Sequence, residues 1–388
     1  NGQHILIGAY RDTVNLMRRL GLEPSRLLHR IPLTVMYPDG FCLRASSLPA
    51  PWHLATALFT ARGLTLSDRM ALVAQLHAWK KASWLVAPNS SALATLTHAT
   101  PMLIERVFEP LCLAALNVRL AQASGQMFLR ILQDSLGRSR HDSELWIPRC
   151  DLSALLPDAA LKTLTRQGAH LAFHGLATRL TPTASGWSIQ TRKGLFEAAH
   201  VVLALPPSPA RTLLETIGSD VLSEALGQLA AIESAPIATI YLRTHPPTRR
   251  LPAPAMALQE CPERAHYGQW LFDRGALATH EQGIYSVVIS GHGAHLNLSA
   301  EALCSAVAKQ LRETLDFPAP TASAAIIEKR ATILATPQLV RPPTALGLKG
   351  LYLAGDAANS PYPSTIEGSV RSGQQAARAA GFGLNRPV

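Results

Sequence analysis

Apolar and polar positions recur along this chain with two different periods. Near the start, Val14, Leu16, Met17 and Leu20 fall at helical spacing, and Gly21 followed by Pro24 supplies the stop such a helix needs. Leu33 to Arg44 reads as strand, turn, strand: Val35, Tyr37, Phe41 and Leu43 sit in the arms, and Pro38-Asp39-Gly40 makes the turn. From Trp52 to about residue 136 the pattern is helical. Within it Ser67 is placed to cap a helix whose Leu72, Leu76 and Trp79 share one face, with Asp68, Arg69, Lys80 and Lys81 expected in water. The run from Glu109 to Asn117 is almost wholly apolar between its ends, which predicts buried surroundings.

Beyond Trp146 the character shifts. Leu161 to Gln167 predicts a helix ended by Gly168, and Ala169 to Leu180 and Trp187 to Lys193 predict β structure. The unbroken apolar run from His200 to Leu205, closed by Pro206-Pro207, has the look of a buried parallel strand, and Leu351 to Ala354 reads the same way. Ile237 to Arg243, followed by Pro246-Pro247, and Ile284 to Ser290 are two further strands. Ser299 caps a helix with Leu303, Val307 and Leu311 on one face, and Ser364 to Ala380 forms a closing helix. No internal repeat is present. Buried strands far apart in sequence, with helices between, predict an α/β or α+β class.

Composition narrows the function. The chain has 388 residues, 47% hydrophobic and 16% charged, enough to bury two or three cores and too little charge for a disordered chain. No apolar run approaches the ~20 residues that span a bilayer. A net charge of +10 favours polyanionic partners, but no basic run of five exists, which argues against nucleic acid. Positive charge with high apolar content suits a phosphate-bearing cofactor or a membrane surface. Cys42, Cys112, Cys150, Cys261 and Cys304 have no CxxC spacing and read as reduced thiols of a cytoplasmic protein. His170 and His174 fall on predicted β structure, ~13 Å apart. His292 and His295 lack acidic partners, so no metal site is expected. GxSxG, SxxK and HExxH are absent.

The chemistry-bearing stretch runs from Gly350 to Gly373. A buried strand ends at Gly355, where a missing side chain lets a ligand approach the backbone, and Asp356 stands at the strand's carboxyl end, where open α/β sheets bind ligands. A short loop with Pro361 and Pro363 leads to a helix that opens at Ser364-Thr365. Its first-turn amides suit a pyrophosphate or an electron-rich ring oxygen. Gly368, Ser372 and Ala376 repeat at four-residue spacing, small enough for close approach to a sheet or ligand.

This ordered combination resembles the C-terminal FAD motif of the flavin-dependent amine oxidase and carotenoid desaturase superfamily. Further stretches resemble one branch of it, the squalene-associated FAD-dependent desaturases or hydroxysqualene dehydroxylases. They are Asn1-Gly2-Gln3-His4 with Gly8-Ala9-Tyr10, Glu109-Pro110-Leu111 with Ala115-Leu116-Asn117, Pro148-Arg149-Cys150-Asp151-Leu152, Gln269 to Gly275, and Glu328 to Thr332. The resemblance implies an α/β, Rossmann-like FAD-binding domain made of 1–10, 141–206 and 345–388, with a mixed helical and antiparallel-sheet substrate domain made of 11–140 and 207–344. It implies that Gly355 and Asp356 meet the ribityl and diphosphate region, and that Ser364, Thr365, Ile366, Glu367 and Gly368 line the flavin ring. Ala177, after the Gly175 turn, and the strand ending at Leu205 would serve the adenosine half. The FAD is expected to be non-covalent, since residues 305–388 hold no Cys to tether it.

The family's opening strand–GxGxxG–helix unit is not in this sequence. Gly291-His292-Gly293 has Leu296 at the third position, and Gly381-Phe382-Gly383 has Arg386. The expectation is a chain lacking its first βαβ unit, inactive alone and weak in FAD binding. The implied reaction is reductive dehydroxylation of hydroxysqualene, a long apolar isoprenoid held in a greasy tunnel of the 52–136 helices and the Ile237 and Ile284 strands. The membrane contact it implies is peripheral, on the inner face of the cytoplasmic membrane. Tyr362, Asp273 and Glu109 are the candidates for proton donor. Helix initiation competes as the role of Glu109, and an Asp273–Arg274 ion pair as that of Asp273. The rival readings are an amine oxidase or phytoene-type desaturase on the same site, and a flavin-free lipid-binding protein on a decayed oxidase fold. Oligomeric state is not indicated.

Overall fold

The structure is a computed structural model, and it describes residues 4–136, 139–245 and 251–382. Asn1 to Gln3, Pro246-Pro247, Gly383 and Arg386 lie outside them. The chain divides into two compact units. The larger contains 1–10, 24–155 and 234–337; the smaller contains 11–23, 156–233 and 338–388. Compared with the expected boundaries, 11–23, 207–233 and 338–344 join the smaller unit, whereas 1–10 and 141–155 join the larger.

The larger unit has a five-stranded antiparallel sheet in the order Ala255–Ala257, Trp270–Asp273, Ile284–Ser290, Ser234–Arg243, Ala322–Ile333. The Ala300–Leu315 helix, capped by Ser299, turns Leu303, Val307 and Leu311 onto Ile240, Val287 and Ile289, as its spacing predicts. A second core gathers the helical region around Trp79, Phe108, Leu129 and Phe128. The turn over Pro38-Asp39-Gly40 forms: Thr34–Met36 pairs antiparallel with Cys42–Arg44, and Asp39 accepts from the Phe41 amide at 3.1 Å.

Three local expectations change here. The Leu66–Lys81 helix is capped by Thr65, not Ser67. Thr65 and Asp68 cap each other's backbone N–H groups, so Asp68 is buried and not in water. Thr100 also donates to Asp68 at 2.6 Å, and these donors hold its carboxyl below the usual range. Glu109 does not begin a helix, because Pro101–Leu103 and a π-type turn at Ile104–Phe108 lead straight into Glu109–Leu116. Pro110 has no N–H for the regular ladder, and the wide turn before it makes room for its ring. Residues 169–176, including His170 and His174, are irregular, with the strand confined to Ala177–Thr183.

Asn117 ends the Glu109–Leu116 helix in the left-handed conformation, φ 57°. Its buried amide donates to the Pro236 carbonyl (3.1 Å) and the Thr332 hydroxyl (2.9 Å) and accepts from the Gly291 amide (2.7 Å). One side chain thus ties a helix end to three strand regions.

In the smaller unit the two apolar runs form strands, as expected, and pair with each other: Val201–Leu203 and Leu351–Leu353 are parallel neighbours. Leu203, Leu351 and Leu353 are buried, but Val202 is exposed, since the sheet has two strands among the described residues. A three-stranded meander, Ala177–Thr183, Gly186–Thr191 and Gly194–Ala198, is anchored by Trp187, whose indole donates to the Lys349 carbonyl at 3.0 Å. The Ile366–Ala379 helix is capped by Thr365 and lies along the Arg11–Arg19 helix. Between those two helices sits Glu367, only 1% exposed. Its carboxylate accepts from the Asp12 amide (3.2 Å), the Thr13 amide (2.9 Å), the Thr13 hydroxyl (2.7 Å) and Arg371 (2.9 Å), so it caps a helix 354 residues away.

Replacing Asn117 with Ala removes three hydrogen bonds, although the Gly291 amide still reaches the Pro236 carbonyl at 3.1 Å, and puts a residue without a side-chain amide at φ 57°; urea unfolding should show a loss of about 3 kcal/mol. A loss below about 1 kcal/mol would show that water replaces the amide. Glu367→Ala uncaps the helix and leaves Arg371 with Asp12 as its carboxylate partner, with an expected loss of about 2–4 kcal/mol, whereas Glu367→Gln, which still accepts from Thr13, should cost roughly half as much. Equal losses for the two variants would contradict the charge-assisted part of this description.

Candidate functional site

The smaller unit brings the strand end, the loop and the helix start together. After Leu351–Leu353, Ala354 is held by its amide to the Leu203 carbonyl at 3.0 Å. Gly355 follows with φ 79°, and a Cβ built there would meet nothing within 4 Å. Its backbone therefore faces open space in a conformation that other residues rarely adopt. The Gly355 amide is fixed at 2.9 Å by the Ser372 hydroxyl, one of the three small residues of the closing helix. Gly368 packs so tightly that a Cβ would stand 3.2 Å from the Pro363 carbonyl and from Tyr362.

Asp356 is half-buried in the short turn that follows. Burial pushes its carboxyl up from the usual range, while a hydrogen bond from Ser364 and the charge of Arg341 pull it back. Ser364, Thr365 and Ile366 are half-buried at the helix start. The amides of Ile366 and Glu367 are first-turn groups without an intrahelical acceptor. The Glu367 carboxylate is spent on the Arg11–Arg19 helix, so what that position offers a ligand is its amide.

Arg341 was not singled out by the sequence reading. It is buried, and its guanidinium donates to the carbonyls of Ser360 and Tyr362, the latter at 2.9 Å, with a longer contact to that of Asp356 at 3.5 Å. Desolvation lowers its pKa, and Asp356 opposes the shift. One cation thus gathers the carbonyls of the loop joining Asp356 to the helix. A signal was present: Arg341 is the one charge between Ala331 and Leu348.

These residues suit a flavin dinucleotide. A carboxylate can accept from sugar or ribityl hydroxyls, free first-turn amides can donate to pyrophosphate or ring oxygens, and the left-handed glycine leaves room beside them. Ala177 begins its strand and Leu205 lies just past Val201–Leu203, both half-buried in this unit.

Of the three candidate proton donors, Tyr362 belongs to this unit. It is 2% exposed, on the loop that Arg341 organises, with the Arg371 guanidinium 4.8 Å from its ring centroid. Asp273 and Glu109 belong to the larger unit. Asp273 caps the Arg274–Leu277 helix by accepting from the Ala276 amide (3.1 Å), and Arg274 pairs with Glu281, not with Asp273. Glu109 accepts from Arg119 (3.3 Å) and the Leu120 amide (3.1 Å), and Arg119 forks onto Glu260 at 2.8 and 2.9 Å. All five cysteines are free, and among the described residues no cluster of His, Cys, Asp and Glu could hold a metal.

Comparison with known proteins agrees with the geometry. Residues 1–380 match the family described as flavin containing amine oxidoreductase. Hydroxysqualene dehydroxylase of Sinorhizobium fredii is 29% identical over 394 residues, covering 98% of this chain and 86% of that protein. The enzyme of the same name from Rhodopseudomonas palustris is 29% identical over 400 residues, covering 97% and 85%. Among solved structures, an oxidoreductase from Methanosarcina mazei superposes with TM-score 0.71 at 11% identity, covering 97% of this chain and 87% of the other. Cyclohexylamine oxidase from Brevibacterium oxydans superposes with TM-score 0.62 at 15% identity, covering 98% and 86%. With the strand end, the glycine and the amide-lined helix start in place, the chain belongs to the flavin-containing amine oxidoreductases and is an FAD-dependent oxidoreductase.

Proposed function

We propose that this enzyme removes the hydroxyl of hydroxysqualene to give squalene. The observation that carries the reading is the end-to-end similarity to hydroxysqualene dehydroxylases, at 29% identity over 98% of the chain. Cyclohexylamine oxidase shares the fold at 15% identity, a likeness that does not bear on substrate. The substrate is a C30 allylic alcohol, so loss of the hydroxyl leaves positive charge delocalised over the neighbouring double bond. The balance is one hydride to carbon and one proton to the departing hydroxyl, which leaves as water. Reduced flavin, when bound, supplies the hydride.

In this reading Asp356 accepts from flavin hydroxyls, and the amides of Ile366 and Glu367 donate to the ring or diphosphate oxygens. Gly355 admits the cofactor against the backbone, Arg341 holds the loop in place, and Ala177 and Leu205 flank the adenosine half. Tyr362 is the proton donor we favour. It lies between Asp356 and the helix start, in the same unit as the proposed flavin-binding residues, whereas Asp273 and Glu109 belong to the larger unit. The substrate is insoluble in water and is drawn from lipid at the membrane surface.

The direct test uses the flavin-loaded protein. Under reducing conditions it should convert hydroxysqualene to squalene, and amines and phytoene should leave its flavin unchanged. An amine that reduces the flavin while hydroxysqualene is untouched would replace this reading with the oxidase one. Tyr362→Phe should keep the flavin and lose roughly 10²-fold or more in kcat. Full activity in that variant would remove Tyr362 from the chemistry. Asp356→Asn should lose flavin yet stabilise the apoprotein near neutral pH. The sign follows from burial. A carboxyl whose pKa is raised on folding disfavours the folded state once it ionises, and this cost vanishes as pH falls below the ordinary carboxylate range. The melting-temperature gap between variant and parent should therefore close on acidification. A gap that widens would contradict it.

A further inference from the structure

Exposed apolar side chains are not spread evenly over the larger unit. Of its ten exposed large hydrophobics among the described residues, seven lie between Leu48 and Leu85. They follow helical periods. Trp52 and Phe59 stand seven apart on the Trp52–Thr60 helix, and Leu66, Met70 and Val73 form one stripe along Leu66–Lys81. Trp52 is 63% exposed, Phe59 73% and Leu66 74%, while Leu72, Gln75 and Trp79 fill the opposite face of the second helix. Arg69, the residue before Met70, donates to the carbonyls of Phe59 (2.7 Å) and Ala61 (2.9 Å). The end of the first helix thus lies within one arginine's reach of the second.

The exposed charge along these two helices and the turn between them has one sign. From Phe41 to Ile104 the sequence contains five Lys and Arg residues and a single acid, Asp68. That acid is buried and bonded to Thr65 and Thr100, so it contributes no exposed negative charge. Arg62, at the turn between the helices, and Lys80 and Lys81, at the far end, are exposed. Aromatic and aliphatic side chains on these two helices, with cations and no exposed carboxylate along the same stretch of chain, match a membrane–water interface with anionic headgroups; of the exposed acids that bound the stretch, Asp39 is paired with Arg106 (2.8 Å) and Glu105 accepts from Gln259 (2.6 Å). A protein partner would have to supply both the acidic rim and the apolar centre. A bilayer supplies both everywhere.

We infer that the Trp52–Thr60 and Leu66–Lys81 helices are the surface by which this enzyme docks on an anionic lipid bilayer, lying in the interface without crossing it. No helix among the described residues is long and apolar enough to cross a membrane. The preference for lipid over another occupant also rests on the isoprenoid-substrate reading, and the inference says where on the molecule that substrate's source is met.

The test needs no substrate, so it stands apart from the dehydroxylase reading. The flavin-loaded protein is mixed with phosphatidylcholine vesicles, with and without phosphatidylglycerol, and bound protein is separated by flotation. Binding should require phosphatidylglycerol and weaken with salt. The double variant Phe59→Ser/Met70→Ser changes exposed positions, so its flavin spectrum and melting temperature should match the parent while vesicle affinity falls roughly tenfold or more. Lys80→Ala/Lys81→Ala should keep the fold and lose the dependence on phosphatidylglycerol. Trp52 reports directly, because the other five tryptophans are buried. Its emission should shift to the blue on vesicles, and Trp52→Phe should abolish the shift. Unchanged vesicle binding in the Phe59/Met70 variant would overturn the inference. So would a blue shift that survives Trp52→Phe, or a dimer in solution that this variant dissolves.

Discussion

A carboxylate sealed from water needs donors on every side, and the smaller unit is arranged around the one that Glu367 requires. Two backbone amides and a hydroxyl come from the start of the Arg11–Arg19 helix, and a guanidinium comes from the next turn of its own helix. Arg371 in turn reaches Asp12 at 3.0 Å and covers the ring of Tyr362. The position of the closing helix, and with it the direction in which its first-turn amides point, is therefore fixed by a segment near the other end of the sequence. Charge-assisted bonds in a dry setting are strong because their loss leaves a bare ion behind.

Arg341 does for the loop what Glu367 does for the helix. A cation among carbonyls and a carboxylate among amides hold the two halves of the cradle, and neither side chain is free to serve a ligand. Pre-set geometry of this kind lowers the ordering cost of binding a large, many-jointed molecule. The groups left over are the ones a flavin needs: a half-buried acid, free amides and a glycine facing open space.

Much of this was legible in the residues. The apolar runs at 200–205 and 351–354 are read as strands and are strands, and the helix expected to open at Ser364-Thr365 does so with Thr365 as its cap. The Ala300–Leu315 helix follows its spacing because its apolar face packs on a sheet beside it. What escaped was decided by long-range polar contacts. Asp68 looks like a wet residue until Thr100, 32 residues on, is brought to its other oxygen. Glu367 looks like a flavin contact because nothing local reveals that Thr13 will claim it. Val202 reads as buried because a run of aliphatics carries no record of how many strands will flank it. Periodicity reports which face is dry, but not which polar group spans the interior.

The parallel pairing of Val201–Leu203 with Leu351–Leu353 has a consequence for how the enzyme is made. Its two strands are separated by most of the second half of this sequence, and the acid that caps the Arg11–Arg19 helix comes after the second of them. Until Leu351–Leu353 and Glu367 have been made, the early helix lacks this cap and the early strand this neighbour. The larger unit can gather most of its sheet and helices first, whereas the smaller one can close only after these late residues have emerged from the exit tunnel.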